Sequence, residues 1–120
     1  MENSILVDIK KLLGMTEEYE PFDKDIVIHI NSAFVTLRQL GVGPVEGFRI
    51  SDETAIWSDF IQDNKILGMV KDYVYLKVKM IFDPPSNSNV MEAYKETIKE
   101  YEFRLNVDVD PGLTEKEGEE

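Results

Sequence analysis

The stretch Asn64–Pro85 reads NKILGMVKDYVYLKVKMIFDPP and decides the fold. We expect Asn64 to cap the start of a helix, because a side-chain oxygen there accepts a bond from a free backbone N–H. Pro84 and Pro85 end the helix, since proline lacks an N–H donor and disfavours helical backbone in the residue before it. The predicted helix has about 18 residues and a length of roughly 27 Å.

Apolar side chains cover more of this helix than a surface helix needs. At about 100° per residue they span roughly 200°, about twice the usual width. They are Ile66, Leu67, Met69, Val70, Tyr73, Val74, Leu76, Val78, Met80 and Ile81. Tyr75 and Phe82 lie near the opposite side, seven residues apart. We therefore expect other helices to surround this one, and a second subunit to cover part of it.

Lys77 falls near the middle of the apolar arc. Lysine is rarely buried unless it is paired. Two interpretations stay open. In the first, the methylene stem is buried and the ammonium reaches water. In the second, Lys77 forms a buried ion pair with a carboxylate of another helix or subunit, which would fix the register between them.

The rest of the chain is predicted to be helical, with polar or glycine-rich connections. Apolar residues recur at i, i+3 and i+4, which indicates amphipathic helices. The expected helices are Ser4–Gly14 with Asn3 or Ser4 as its cap, Asp23–Leu40, a short one at Ser51–Ile61, and Asn89–Leu105. Three glycines and Pro44 mark residues 41–50 as a true connection. The sequence thus predicts an all-α compact bundle of four main helices plus one short helix.

An acidic tail follows the last predicted helix. Residues 106–120 hold six acids and one lysine, so they carry −5 of the net charge of −11. Val107 and Val109 alternate with acids and would form a short strand, or bind a partner, where a partner offers an edge. The remainder has the composition of a disordered segment. We divide the chain into a helical domain, 1–105, and a flexible tail, 106–120.

Composition excludes several functional classes. The chain has 120 residues, no cysteine and one histidine, which predicts a single domain without disulfides and disfavours a zinc site. We expect no signal peptide and no membrane span, because no long uncharged apolar run is present. The net charge of −11 argues against a general duplex-DNA binder, which needs cations against phosphate. It is compatible with a protein that lets DNA slide past.

No catalytic or metal-binding constellation stands out, so we predict no enzyme activity and no cofactor. Asp25 and His29 are spaced i, i+4 on a predicted helix, but a metal site needs more ligands, and two solvated side chains explain the spacing as well. Asp59 and Asp63, near Glu53, suggest a carboxylate pair. Helix caps and solvated acids are the commoner use of such residues.

Five apolar residues lie off the main stripes of their predicted helices. Ile28 and Val35 form a second ridge on the helix at 23–40, and Phe103 lies among charged residues of the last helix. Together with Tyr75 and Phe82 they are predicted to form a subunit or partner interface.

Four stretches, in order, resemble the head–tail connector (adaptor) proteins of tailed phages and prophages of Gram-positive bacteria. The stretches are HINSAFVTLRQLGVGP (29–44), GFRISDETAIWSDFI (47–61), VKDYVYLKVKMIFDPP (70–85) and EYEFRLNVDVD (100–110). The resemblance covers about residues 4–110 and rests on overall pattern, since it includes no chemical motif.

This resemblance implies a small, all-helical, non-enzymatic virion protein. Such a protein forms a homo-oligomeric ring under the portal protein, meets a stopper or tail-completion protein on its other side, and lets DNA pass through its channel without sequence-specific binding. Its place is the head–tail junction of the virion, and the host cytoplasm during assembly. The alternative from the residues alone is an acidic helical regulatory module, either a DNA mimic or a sequestering protein.

Overall fold

Five helices make up residues 4–109, the part of the chain that the computed structural model describes. They are α1 (Ile5–Leu12), α2 (Asp23–Gln39), α3 (Trp57–Phe60), α4 (Asn64–Phe82) and α5 (Ser88–Val109). The only β-type pairing in that range is an isolated antiparallel bridge between Ser4 and Ile56. This confirms the all-α bundle of four main helices and one short helix.

Helix α4 is the centre of the bundle. It packs along α2 and α5, and less extensively against α1. Its side chains at Val70, Tyr73, Val74 and Val78 are completely buried. The prediction that other helices surround this apolar segment is therefore confirmed, although Ile81 near its C-terminal end stays 57% exposed.

Both ends of α4 follow from local chemistry. The N-cap is Asp63, whose carboxylate accepts the backbone N–H of Lys65 at 2.9 Å. Asn64 is the first helical residue, so the predicted cap was wrong by one position. At the other end Asp83 leaves helical geometry, with φ −148° and ψ 66°, as the prolines after it require.

Helix α3 is much shorter than the sequence predicts. We expected a helix over 51–61, but only Trp57–Phe60 is helical. The carboxylate of Asp52 accepts bonds from the N–H and the hydroxyl of Thr54, at 2.9 and 2.6 Å. Such a local side-chain turn satisfies backbone groups that a helix would otherwise use, and so it competes with helix formation.

Helix α5 is longer than predicted and runs to Val109 instead of ending at Leu105. Leu105 is completely buried, and the Asn106 side chain donates to the Leu40 carbonyl at 3.1 Å. These contacts tie the end of α5 to the end of α2 and carry the helix past the predicted boundary. The backbone at Val107 and Val109 is helical in the chain by itself, and the short strand against a partner's edge stays a prediction. The acidic tail from residue 110 lies outside the described residues.

Candidate functional site

The outer face of α2 carries two exposed aliphatic side chains. Ile28 is 61% exposed, and Val35, two helical turns later on the same face, is 58% exposed. They lie opposite the face that packs on the core, whose buried residues are Ile26, Ile30, Ala33, Phe34 and Leu37. Since α2 packs mainly on α4, this ridge points away from the centre of the bundle.

A groove of about 390 Å³ runs beside this ridge, between α2 and residues 49–51. Its shape depends on Asn31, a nearly buried amide on α2. The Asn31 Oδ1 accepts the Ile50 N–H at 2.7 Å, and its Nδ2 donates to the Ile50 carbonyl at 3.0 Å. Because both bonds are buried, they hold the connection against α2 and leave the Arg49 side chain exposed at the groove.

The outer face of α5 carries Phe103, which is 70% exposed. It lies about 160° around the helix from Leu105, at roughly 100° per residue. Glu96 and Glu100 are exposed on the same side of the helix, and Glu100 forms an ion pair with Arg104 at 2.6 Å. The Phe103 ring is the most apolar feature of this face, and acids lie beside it.

Tyr75 and Phe82 do not share a surface with these residues. Both are half-buried and pack against the core of the same chain. The Phe82 ring meets the Phe22 ring edge-on, with centroids 5.3 Å apart. The structure therefore divides the five predicted interface residues. Ile28, Val35 and Phe103 face outward on two separate helices, while Tyr75 and Phe82 have partners inside the monomer.

Lys77 is half-buried, and its ammonium lies 5.9 Å from the centroid of the Tyr73 ring. Among the side chains of residues 4–106 it forms no ion pair with a carboxylate. This arrangement favours the interpretation in which the stem packs on apolar side chains while the charge stays near water.

Residues 5–112 match the family model described as phage connector protein. The chain belongs to the phage connector protein family. The match spans most of the 120 residues, so the resemblance read from the sequence is confirmed at the level of the family, with a connector-type structural role. No curated protein and no solved structure matches the chain.

The connector contains a buried lysine that the sequence analysis missed. Lys10 is 1% exposed; its ammonium lies 2.9 Å from an Asp23 carboxylate oxygen and donates to the Glu17 carbonyl at 2.9 Å. This ion pair fastens α1 to the loop before α2 and to the first turn of α2. The sequence signal for its burial was the i, i+4 spacing, because Lys10 follows Leu6 by four residues and so lies on the same face of α1.

A second polar contact joins α1, α3 and α4 of the connector. The Trp57 indole N–H donates to an Asp8 carboxylate oxygen at 2.8 Å, and Lys71 lies 3.7 Å from that oxygen and 5.6 Å from the indole centroid. Trp57 is 1% exposed, so its indole lies in the core with its N–H satisfied by Asp8. These three side chains stabilise the packing of α1, α3 and α4 against one another.

Two tyrosines set the register of α4 against α5. Tyr73 donates to Glu102 at 2.8 Å, and Tyr101 donates to Asp72 at 3.3 Å. Burial, and then the Glu102 carboxylate, raises the pKa of Tyr73 well above its ordinary value. The pKa of Tyr101 is also raised, first by burial and then by Asp72. Both phenols thus act as neutral hydrogen-bond donors across the contact between α4 and α5.

The carboxylates considered for catalysis serve as caps. Asp59 accepts the backbone N–H of Ile56 at 3.0 Å, and Asp63 caps α4. In the described part of the connector, no three histidine or acidic side chains come together as metal ligands would. None of its described helices is long and apolar enough to cross a membrane.

Proposed function

We propose that this connector assembles as a ring at the head–tail junction of a phage virion. In that position it joins the portal protein to the next tail or stopper component, around the channel through which DNA passes. Family membership over residues 5–112 is the observation that carries the proposal. The role is structural, and assembly would take place in the host cytoplasm before the protein becomes part of the virion.

The exposed apolar residues support an assembly role. Ile28, Val35 and Phe103 are each more than half exposed, on two separate long helices. Scattered apolar residues on a surface are ordinary, but a ridge beside a groove on one helix and an aromatic side chain on another match the parts of a protein–protein contact. In a ring, each subunit presents one surface to each of its two neighbours.

The charge of the chain suits a DNA channel. The net charge is −11 in 120 residues, and the phosphates of DNA repel a surface of the same sign. A channel that attracted phosphate would hold the DNA by releasing its counterions, and binding would then oppose passage. An acidic lining lets DNA slide through. Which residues line the channel depends on how the subunits are arranged in the ring, so the acidic lining is part of the proposal.

We further propose that the segment around Val107 and Val109, with the acidic tail, binds the portal or the stopper protein. Its side chains are not among those described, so support comes from sequence alone. Two valines set among acids supply apolar contacts within a segment that carries −5 of the net charge.

The test is the mass of the assembly, measured for the purified protein alone and after mixing with the portal protein of the same phage. Native mass spectrometry and negative-stain electron microscopy are suitable methods. Rings in solution, or rings that form only on the portal, support the proposal. A stable monomer that ignores the portal and binds a repressor or a nuclease would overturn it in favour of the regulatory module.

A further inference from the structure

We infer that the ring closes through a head-to-tail contact in which Phe103 of one copy inserts into the α2 groove of the next copy. The groove is the one bounded by Ile28, Val35 and Arg49. The inference rests on the proposed ring and names the two surfaces that form it. It commits to a second copy of this chain as the occupant of the groove.

Phe103 and the α2 groove face different sides of the molecule. Helices α2 and α5 both pack along α4, but contact between α2 and α5 themselves is slight. Two helices that share a third and scarcely touch each other lie on different flanks of it. Ile28 and Val35 lie opposite the core-facing side of α2, and Phe103 lies opposite that of α5. The groove and the aromatic side chain therefore point to different sides of the molecule.

The symmetry of a ring requires two different contact patches on each copy. A two-fold dimer uses the same patch on both copies, whereas a ring larger than a dimer uses two different patches, one for each neighbour. Phe103 and the groove are two different patches on different flanks of one chain. Each copy can therefore offer its Phe103 to one neighbour and its groove to the other, and the contact repeats around the ring.

The groove and the surface around Phe103 differ in chemistry. The groove is lined by four aliphatic residues, by Arg49 and by the uncharged polar residues Asn31, Ser32 and Ser51, and no acidic residue lines it, although the chain as a whole carries −11. Arg49 is exposed and forms no ion pair with any of the side chains described, which run from residue 4 to 106. Phe103 has Glu96, Lys99 and Glu100 on its side of α5, with Glu100 paired to Arg104 and Glu96 without an ion pair among the described side chains. An aromatic ring suits the aliphatic wall, and both the ring face and the acids attract the guanidinium.

The alternative occupant is a different virion protein. The charge pattern favours a second copy, because the acids needed to meet Arg49 stand beside an exposed aromatic ring on this same chain. The contact would also place an aromatic side chain against an arginine, and aromatic residues and arginine are common among the residues that contribute most of the binding free energy at an interface.

The first experiment measures assembly of Phe103→Asp, alone and on the portal protein. Because Phe103 is 70% exposed, the variant should keep the helical circular dichroism and the melting temperature of the wild type. We expect association to weaken about tenfold or more, as for loss of a central aromatic contact. The matched control is Ile81→Asp, an aliphatic residue 57% exposed that belongs to neither surface; it should assemble normally.

Charge reversal tests the pairing itself. Arg49→Glu should block assembly, and the added changes Glu96→Lys and Glu100→Lys should restore it, since opposite charges would again face each other. If Phe103→Asp assembles as well as wild type, or if the reversed acids fail to restore Arg49→Glu, the head-to-tail contact is wrong while the ring stands. If the wild type itself forms no ring, alone or on the portal, the proposed function fails first.

Cysteine cross-linking gives an independent readout, because the chain has no cysteine of its own. Ser32→Cys places a thiol in the groove, and Lys99→Cys places one beside Phe103, which is kept. The double variant, treated with a short bis-maleimide during assembly, should give a ladder of covalent multimers. Ser32→Cys paired with Lys65→Cys, at the start of α4, is the control and should give no ladder. A ladder only in the control would overturn the assignment of surfaces.

Discussion

Replacing Lys10 with methionine tests whether its buried ion pair holds α1 on the bundle. Methionine keeps most of the stem and removes the ammonium, so packing is nearly conserved while the charge is lost. The change leaves the Asp23 carboxylate without its cation, which lies 2.9 Å away in the native protein. It also removes the donor to the Glu17 carbonyl.

The size of the loss follows from burial. Removing one partner of a fully buried pair costs about 3–5 kcal/mol, because the other charge stays desolvated. The Lys10 side chain is 2% exposed, but that of Asp23 is 28% exposed, so water can solvate part of the remaining charge. We therefore expect Lys10→Met to lower the free energy of unfolding by about 2–3 kcal/mol. For a domain of this size that is a fall in melting temperature of about 10 °C.

The measurement is urea denaturation followed by circular dichroism, at neutral pH and below the concentration at which the protein associates. Lys11→Met is the matched control, since Lys11 is the exposed neighbour on α1, and it should change stability by less than about 0.5 kcal/mol. Lys10→Met combined with Asp23→Asn should be more stable than Lys10→Met alone, because no unpaired charge remains. Equal losses in Lys10→Met and Lys11→Met would refute the reasoning.

Other predictions concern single positions, each measured by denaturation. Gly43→Ala should destabilise, because Gly43 has a φ of +90° and a Cβ there would overlap the Phe60 ring, whereas Gly68→Ala in α4 has open space and should stabilise by about 0.5–1 kcal/mol. Lys77→Met should lower the melting temperature by much less than about 10 °C, because its charge has no buried partner in the described residues; a larger fall would indicate a partner outside them. The raised pKa of Tyr73 means that the folded state holds this proton more tightly than the unfolded state. Its contribution is complete below about pH 10 and is lost as pH rises toward the folded pKa, so Tyr73→Phe should reduce the alkaline loss of stability, and an unchanged profile would contradict this.

The four main helices could be predicted from sequence with errors of a few residues at their ends, whereas α3 is much shorter than predicted. In α4 a continuous apolar pattern is bounded by a cap region and two prolines, and both are local properties of the chain. The position of a side chain around a regular helix also follows from sequence, at about 100° per residue. For this reason Ile28, Val35 and Phe103 could be assigned to outer faces before the structure was known. The family, too, was recognisable from the order of four stretches.

Other features depended on groups far apart in sequence. The lysine that is buried in an ion pair is Lys10, whereas Lys77, within the wider apolar arc, is half-buried and has its ammonium beside the Tyr73 ring. The difference arises because the fold brings the carboxylate of Asp23 and the carbonyl of Glu17 into contact with the Lys10 ammonium. A helical pattern shows which side chains share a face, but it does not show what will lie against that face.

Sequence alone thus determined the class of the fold, the approximate places of the main helices and the outward direction of their second ridges, because each depends on backbone geometry over a few turns. Tertiary structure decided that Phe82 packs against Phe22 inside the monomer, and that the contact of Asn106 with Leu40 accompanies extension of α5 to Val109. It also decided that Asn31 would hold residue 50 and so shape the groove beside α2. Each of these depends on two segments meeting in space, and the free energy of that contact belongs to neither segment alone.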